Sequence, residues 1–272
     1  MRGRVARAAI VVYLATASLL VVLPILYVVV AALRPGQALT GTVRDVLPTG
    51  ISFDHFADAL RRAPLLRQMV NSSAVAIAQT AAQVVTALLA AYALVFGRLR
   101  RPGWVFGFIL LTMMIPGETI LVANYLTIRS LGLFDTVVAV FLPFLVSAYN
   151  VFLLRQTFLS FPREIHEAAV MDGVRPLRFL AGFLVPLSAP TVVTVTLMSA
   201  IAAWNGYLWP LIVSQSPGTR TVQVGIKILT DESGTDLGAS LAGVTIAVIP
   251  TIVLVLVGQR FLAKGLTQGA VK

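Results

Sequence analysis

Long apolar runs, broken by short basic or Gly- and Pro-bearing stretches, organise this chain. Runs of span length fall at 8–33, 70–96, 104–128, 136–158, 179–204 and 241–262. Crossing a bilayer as a helix takes about 20 largely apolar residues, and each run supplies that length. The pattern therefore predicts an all-α membrane protein with about six transmembrane helices. Arg2, Arg4 and Arg7 precede the first run as they would in a secretory signal. However, Ala8 to Leu33 is far longer than the apolar core of such a signal, so the reading is an uncleaved first span.

The connections are unequal. Residues 34–69 form a long loop with turn signals at Pro35-Gly36 and Pro48-Thr49-Gly50, then a short surface helix from Phe53 to Leu60 that Ser52 or Asp54 is placed to cap. Residues 97–103 make a tight turn, and 214–240, rich in Ser, Gly, Thr and acids, read as a second long loop. The organisation expected is a first helix and loop over 1–69, followed by a transmembrane core over 70–272.

Composition agrees with a bilayer as solvent: 58% of residues are hydrophobic, only 12% are charged, and the mean hydropathy is +0.90. Charge then orients the spans. With the N-terminus inside, the inner segments hold thirteen of the 21 basic residues and three of the 11 acidic ones, while the outer segments balance eight against eight. The entire net charge of +10 falls on one side, which places both termini in the cytoplasm. The basic residues are dispersed among short loops and not gathered on a folded face, which argues against nucleic acid as a partner. With no cysteine and only His55 and His166, there is no disulfide framework and little material for a metal cluster.

Between the fourth and fifth runs lies FPREIHEAAVMDGVRPLRFLAGFLVPL. Ser160 and Pro162 favour a helix start. Ile165, Ala168, Ala169 and Asp172 recur at i, i+3, i+4 and i+7, and Gly173 suits the stop. A second helix begins with Pro176 in its first turn. Two adjacent alanines allow close approach of another backbone, and Glu164 and Glu167 can pair with a partner's basic groups. A short amphipathic helix lying on the membrane satisfies the same periodicity.

This stretch resembles the EAA motif of binding-protein-dependent ABC importer permeases. The motif runs Glu-Ala-Ala, three residues, Gly, nine residues, Ile, one residue, Leu-Pro. Here Glu167, Ala168, Ala169, Gly173 and Pro186 are in register, with Phe183 and Val185 as apolar replacements. The likeness extends to WNGYLWPL at 204–211 and to the C-terminal GLTQGAVK, features similar to those of the second permease of carbohydrate-type importers, relatives of the maltose and glycerol-3-phosphate systems. It implies a type I ABC importer permease fold in a prokaryotic cell membrane. It also implies a coupling loop at about 160–186, in which Glu167, Ala168, Ala169, Asp172 and Gly173 meet an ATPase. The tail from Gly265 through Leu266, Thr267, Gln268 and Gly269 resembles one that enters the interface between two ATPases. The partners implied are a second permease in a heterodimer, two ATPase subunits that bind ATP and Mg, an extracytoplasmic solute-binding protein and membrane lipid.

No GxxxxGK[ST] phosphate loop occurs in the chain, and no nucleophile, base and orienting acid are grouped. It reads as a non-catalytic subunit without a cofactor of its own. Polar residues inside spans are the candidates for a solute path, because an unpaired polar group in hydrocarbon is costly and faces a cavity or another helix. They are Asn71, Gln79 and Gln83, the last two at i and i+4, Glu118 after the helix-breaking Pro116-Gly117, Asn124, Asn150, and the cluster of Trp204, Asn205, Tyr207 and Trp209. Interhelical hydrogen bonding is the alternative role for the amides, pairing with an arginine such as Arg129 for Glu118, and interfacial anchoring for the aromatics. By class, a secondary transporter and a non-transport scaffold are the competing readings. The first would require an inverted repeat and intramembrane charges that the spans almost wholly lack.

Overall fold

The computed structural model describes residues 2–36, 50–233 and 237–267, all helical or in connections. Fourteen α-helices occur among these: α1 Arg2–Ala32, α2 Asp54–Arg62, α3 Leu65–Phe96, α4 Pro102–Thr112, α5 Leu121–Ser130, α6 Val137–Phe141, α7 Ala148–Leu159, α8 Arg163–Met171, α9 Pro176–Phe179, α10 Val185–Leu187, α11 Ala189–Trp204, α12 Leu208–Val213, α13 Val222–Ser233 and α14 Leu237–Thr267. Three stretches are long and apolar enough to cross a membrane unbroken: Ala9–Ala32, Leu65–Phe96 and Leu237–Gln259. Three more qualify when each bent pair is counted as one span, which gives up to six, in line with the sequence expectation. The pairs are Pro102–Thr112 with Gly117–Ser130 at 85°, Val137–Phe144 with Ala148–Leu159 at 45°, and Pro176–Leu187 with Ala189–Trp204 at 88°.

Proline explains each bend, since it removes one backbone donor and its ring obstructs the preceding turn. Pro116 precedes the 3₁₀ turn Gly117–Ile120, as the sequence predicts. Pro143 sits in the 3₁₀ turn Leu142–Phe144, and Ser147 restarts the helix by accepting the Asn150 N–H at 3.3 Å. The third bend falls at Ser188, between Pro186 and Pro190, just after a π-helical turn over Leu180–Leu184. Uniform hydropathy hides the last two bends, so 136–158 and 179–204 read as continuous.

The described residues within Met1–Arg67 and Val224–Ile249 form one compact unit, and those within Gln68–Gln223 and Pro250–Lys272 form a second. In the first, Ala32, Ala59, Leu65, Leu229, Ala239 and Ala242 form a core of mostly small side chains. His55 is buried there against the backbone of Gly238, and Ser52 accepts the N–H of Asp54 to start α2. By contrast, residues Ile10 to Leu26 of α1 are exposed and apolar, as a lipid-solvated helix requires.

The polar stretch 214–240 is not all loop, because it contains α13. Val222, Ile226 and Leu229 recur at helical spacing and are buried, a pattern obscured by the Ser, Gly and Thr around them.

The second unit holds the larger cores. One gathers Ala87, Ala91, Leu154, Phe158, Phe179 and Leu184, and another gathers Val75, Ile128, Val140, Trp209 and Val213. Buried polar groups at the bends are paired inward. Gln83 donates to the Phe144 carbonyl at 2.7 Å and Thr86 to the Leu145 carbonyl at 3.2 Å, so α3 satisfies oxygens that the break after Phe144 leaves free.

Candidate functional site

Two places in the second unit bring candidate residues together. The first is α8. Its C-terminus is a Schellman closure in which the Val174 N–H donates to the Ala169 carbonyl at 2.9 Å and the Gly173 N–H to the Val170 carbonyl at 3.0 Å. Gly173 carries the left-handed φ of +71° that this closure needs, and a Cβ there would meet nothing within 4 Å. Backbone conformation, not crowding, is therefore what requires glycine at this position.

The adjacent alanines of the motif do different jobs. Ala169 is buried against the core formed by Phe158, Phe179 and Leu180, whereas Ala168 is exposed beside Glu167, Val170 and Met171. With Ile165 at 39%, Val170 at 58% and Met171 at 88% exposure, α8 presents an apolar surface edged by Glu164, Glu167 and Asp172. Only one of the two small residues is thus free for a close approach.

Sequence periodicity missed His166. Its ring lies 4.7 Å from that of Phe96 and 4.9 Å from that of Phe179, measured between centroids. The sequence could not show this, because Phe96 is far away along the chain.

The second place is a cavity of about 230 Å³ lined by Val75, Gln79, Val140, Phe144, Ala202, Ala203, Gly206, Tyr207, Trp209 and Pro210. Gln79, Tyr207 and Trp209 are the sequence candidates that reach it. Trp209 forms part of its wall, held by an Nε1–H donation to the Ala139 carbonyl at 3.1 Å and an edge contact with Phe144 at 6.1 Å.

The other candidates lie elsewhere. Gln83 is committed to Phe144, and Asn150, 2% exposed, donates to the Ser199 hydroxyl at 2.8 Å between α7 and α11. Trp204 is buried, and Asn205 accepts from the Gln223 amide at 3.3 Å. Asn124, half-buried, is not part of the cavity lining. Glu118 is exposed at the first bend, while Arg129 turns to the Tyr125 hydroxyl at 3.3 Å and to the Phe134 face. In the C-terminal segment, Gly265, Leu266 and Thr267 close α14, and Gln268 and Gly269 lie outside the described residues.

Asp135 is a polar anchor not singled out from the sequence. It holds φ of 58° and accepts from the N–H of Gln215 at 2.8 Å, the N–H of Ser216 at 3.0 Å and the Thr219 hydroxyl at 2.6 Å. Burial pushes its carboxyl upward. Hydrogen bonds from Thr219, Ser216 and Gln215 outweigh that and hold it at about 2. Asn71 completes the fastening of this loop by donating to the carbonyls of Gly218 at 2.8 Å and Arg220 at 3.0 Å. A local sequence signal for Asp135 did exist: Gly132 and the N-cap Thr136 mark a tight turn around it.

Up to six apolar spans, three of them bent pairs, together with a separate exposed helix rich in small and acidic residues, define a polytopic membrane protein. Residues 83–268 match the family described as the binding-protein-dependent transport system inner membrane component, and the chain belongs to that family. It is 31% identical to the sn-glycerol-3-phosphate transport system permease protein UgpE of Brucella suis, with 92% of each chain covered. It is 32% identical to the protein of the same name from Agrobacterium fabrum, covering 87% of this chain and 83% of that one. Among solved structures, a bacterial ABC transporter involved in the import of the acidic polysaccharide alginate superposes with a TM-score of 0.81 at 26% identity, covering 94% of this chain and 96% of that one.

The fold is that of a type I ABC importer permease, and the chain is a multi-pass, non-catalytic membrane subunit of such an importer. ATP hydrolysis belongs to a separate ATPase. Nothing in these likenesses favours a secondary transporter or a scaffold.

Proposed function

We propose that this chain is the second permease of an importer for a sugar or a glycerol-phosphate-type solute, coupled to its ATPase through α8. In that assembly it pairs with a different permease, two ATPases bind ATP and Mg beneath the pair, and an extracytoplasmic binding protein delivers the solute. Both termini are cytoplasmic, and residues from 70 onward form the translocating core. Glu167, Ala168, Asp172 and Gly173 form or shape the docking face, while Ala169 anchors it. The tail from Gly265 to Gly269 approaches the ATPase interface.

The observation that carries this reading is the two-sidedness of α8. One side is fixed to the chain's own core, and the other leaves Val170 and Met171 exposed between carboxylates. An exposed apolar surface rimmed by charge is what a partner's groove would cover. The glycerol-phosphate or sugar assignment draws on the names of the relatives, and Gln79 and Tyr207 are proposed as this chain's solute contacts.

Co-purification tests the coupling role. Glu167→Lys should leave the permease inserted and paired but reduce the ATPase recovered with it by about tenfold, since one reversed charge at a buried interface costs over 1.4 kcal/mol. Full recovery with the variant would refute α8 as the docking helix.

A further inference from the structure

Of the nine residues in α8, only His166 and Ala169 are not exposed, and they lie at i and i+3 on one face. The best-buried purchase of this helix on the rest of the unit is therefore one ring and one methyl group, supplemented by Val174 just beyond the cap. The ring enters an aromatic cluster in which Phe96 ends α3, Phe161 precedes α8, Phe179 ends α9 and Phe183 lies in the π-helical turn.

Distances rank the contacts. His166 is 4.7 Å from Phe96 and 4.9 Å from Phe179, whereas the phenylalanine pairs around it are separated by 5.4 to 6.4 Å. The imidazole is thus the closest-packed member, and it bridges the end of one span to the start of another. Each ring pair adds directional contact that a methyl group cannot replace.

We propose that His166 is a positioning residue that makes α8 move as one body with the end of α3 and the start of α9. This rests on the reading of α8 as the ATPase-docking helix. Force arriving at the exposed side of α8 reaches the spans through the short connections at its two ends and the few groups on its inner side; the connections leave the helix free to tilt, and Ala169 alone offers too little area to resist that. Aromatic stacking, not proton chemistry, is the function assigned to the side chain.

The chain has no cysteine, so in this subunit paired spin labels can be placed without removing native thiols. Arg163→Cys at the start of α8, exposed and outside the proposed docking face, and Leu99→Cys beyond the end of α3, 41% exposed, make the pair, read in the complete importer both without nucleotide and trapped with ATP and vanadate. With His166 present, and in His166→Phe, the distance distribution should stay narrow and unchanged between the two states. In His166→Ala, or in His166→Leu, which keeps bulk without a ring, it should broaden and shift by several ångströms on trapping.

An unchanged distribution in the ringless variants would overturn the proposal, as would a shift in His166→Phe equal to that in His166→Ala. The docking reading is scored separately by ATPase recovery with Glu167→Lys, which leaves His166 in place.

Discussion

The Asp135 carboxylate accepts the backbone N–H of Gln215 at 2.8 Å, joining the turn before α6 to the loop after α12 across eighty positions of sequence. The same Oδ1 accepts from Ser216 and Thr219, so one oxygen organises the loop that Asn71 grips from α3.

Replacing Asp135 with Ala should loosen this loop while leaving the spans intact. The Gln215 and Ser216 amides should exchange with solvent about tenfold faster, a loss of about 1.4 kcal/mol. Hydrogen–deuterium exchange on the purified chain reads this directly. The pH dependence follows from a depressed carboxyl. Its stabilising share is fully present above the ordinary value of 3.8 and is lost as pH falls toward and through about 2, so protection of these amides should be flat from neutral pH down to about 4.

Gly173→Ala should destabilise the end of α8 by about 1 to 2 kcal/mol, because a β-carbon disfavours the left-handed conformation even where space is open. Asn tolerates that conformation better, so Gly173→Asn should fall between Ala and the parent in ATPase recovery. Equal recovery with all three would show that the closure after Met171 does not matter to docking.

Gln83→Leu should lower the stability of the purified chain by about 1 to 3 kcal/mol, the cost of stranding the Phe144 carbonyl away from water. Thr86→Val should cost less alone, since its hydroxyl also bonds within its own helix to Ala82 at 2.7 Å. The double variant should lose more than the sum if one residue covers for the other, and thermal unfolding in detergent measures all three.

Gln79→Leu and Tyr207→Phe should reduce transport by the assembled importer without reducing expression. Each removes one polar group from a largely apolar cavity, and losing a single solute hydrogen bond costs about 1 kcal/mol, roughly fivefold. Asn150→Leu, at a position outside the cavity lining, should instead act on stability through Ser199. Uptake normalised to membrane-inserted protein separates these effects.

Span number, the Pro116-Gly117 break and the stop at Gly173 were all legible in the sequence because each depends on local composition or on one residue's backbone preference. The bends at Pro143 and Ser188 were not read, although their prolines were in plain view. Averaging hydropathy over a window erases a turn that remains apolar. The periodicity of α8 set Ala168 and Ala169 on one face, yet a step of 100° per residue separates an exposed side chain from a buried one. His166 was beyond local reading altogether, since its stacking partners come from α3 and α9. The same is true of Asp135, whose partners follow α12.

The two ends of the fourth span differ in the kind of bond that secures them. Near Asp135 the chain is fastened by hydrogen bonds whose angles and lengths tolerate little sliding. Beneath α8 the contacts are ring against ring, close-packed and directional. A strain applied along this span would meet a polar latch at one end and an aromatic clamp at the other, so the two ends are built to fail differently: one by exchanging its bonds with water, the other only by unpacking.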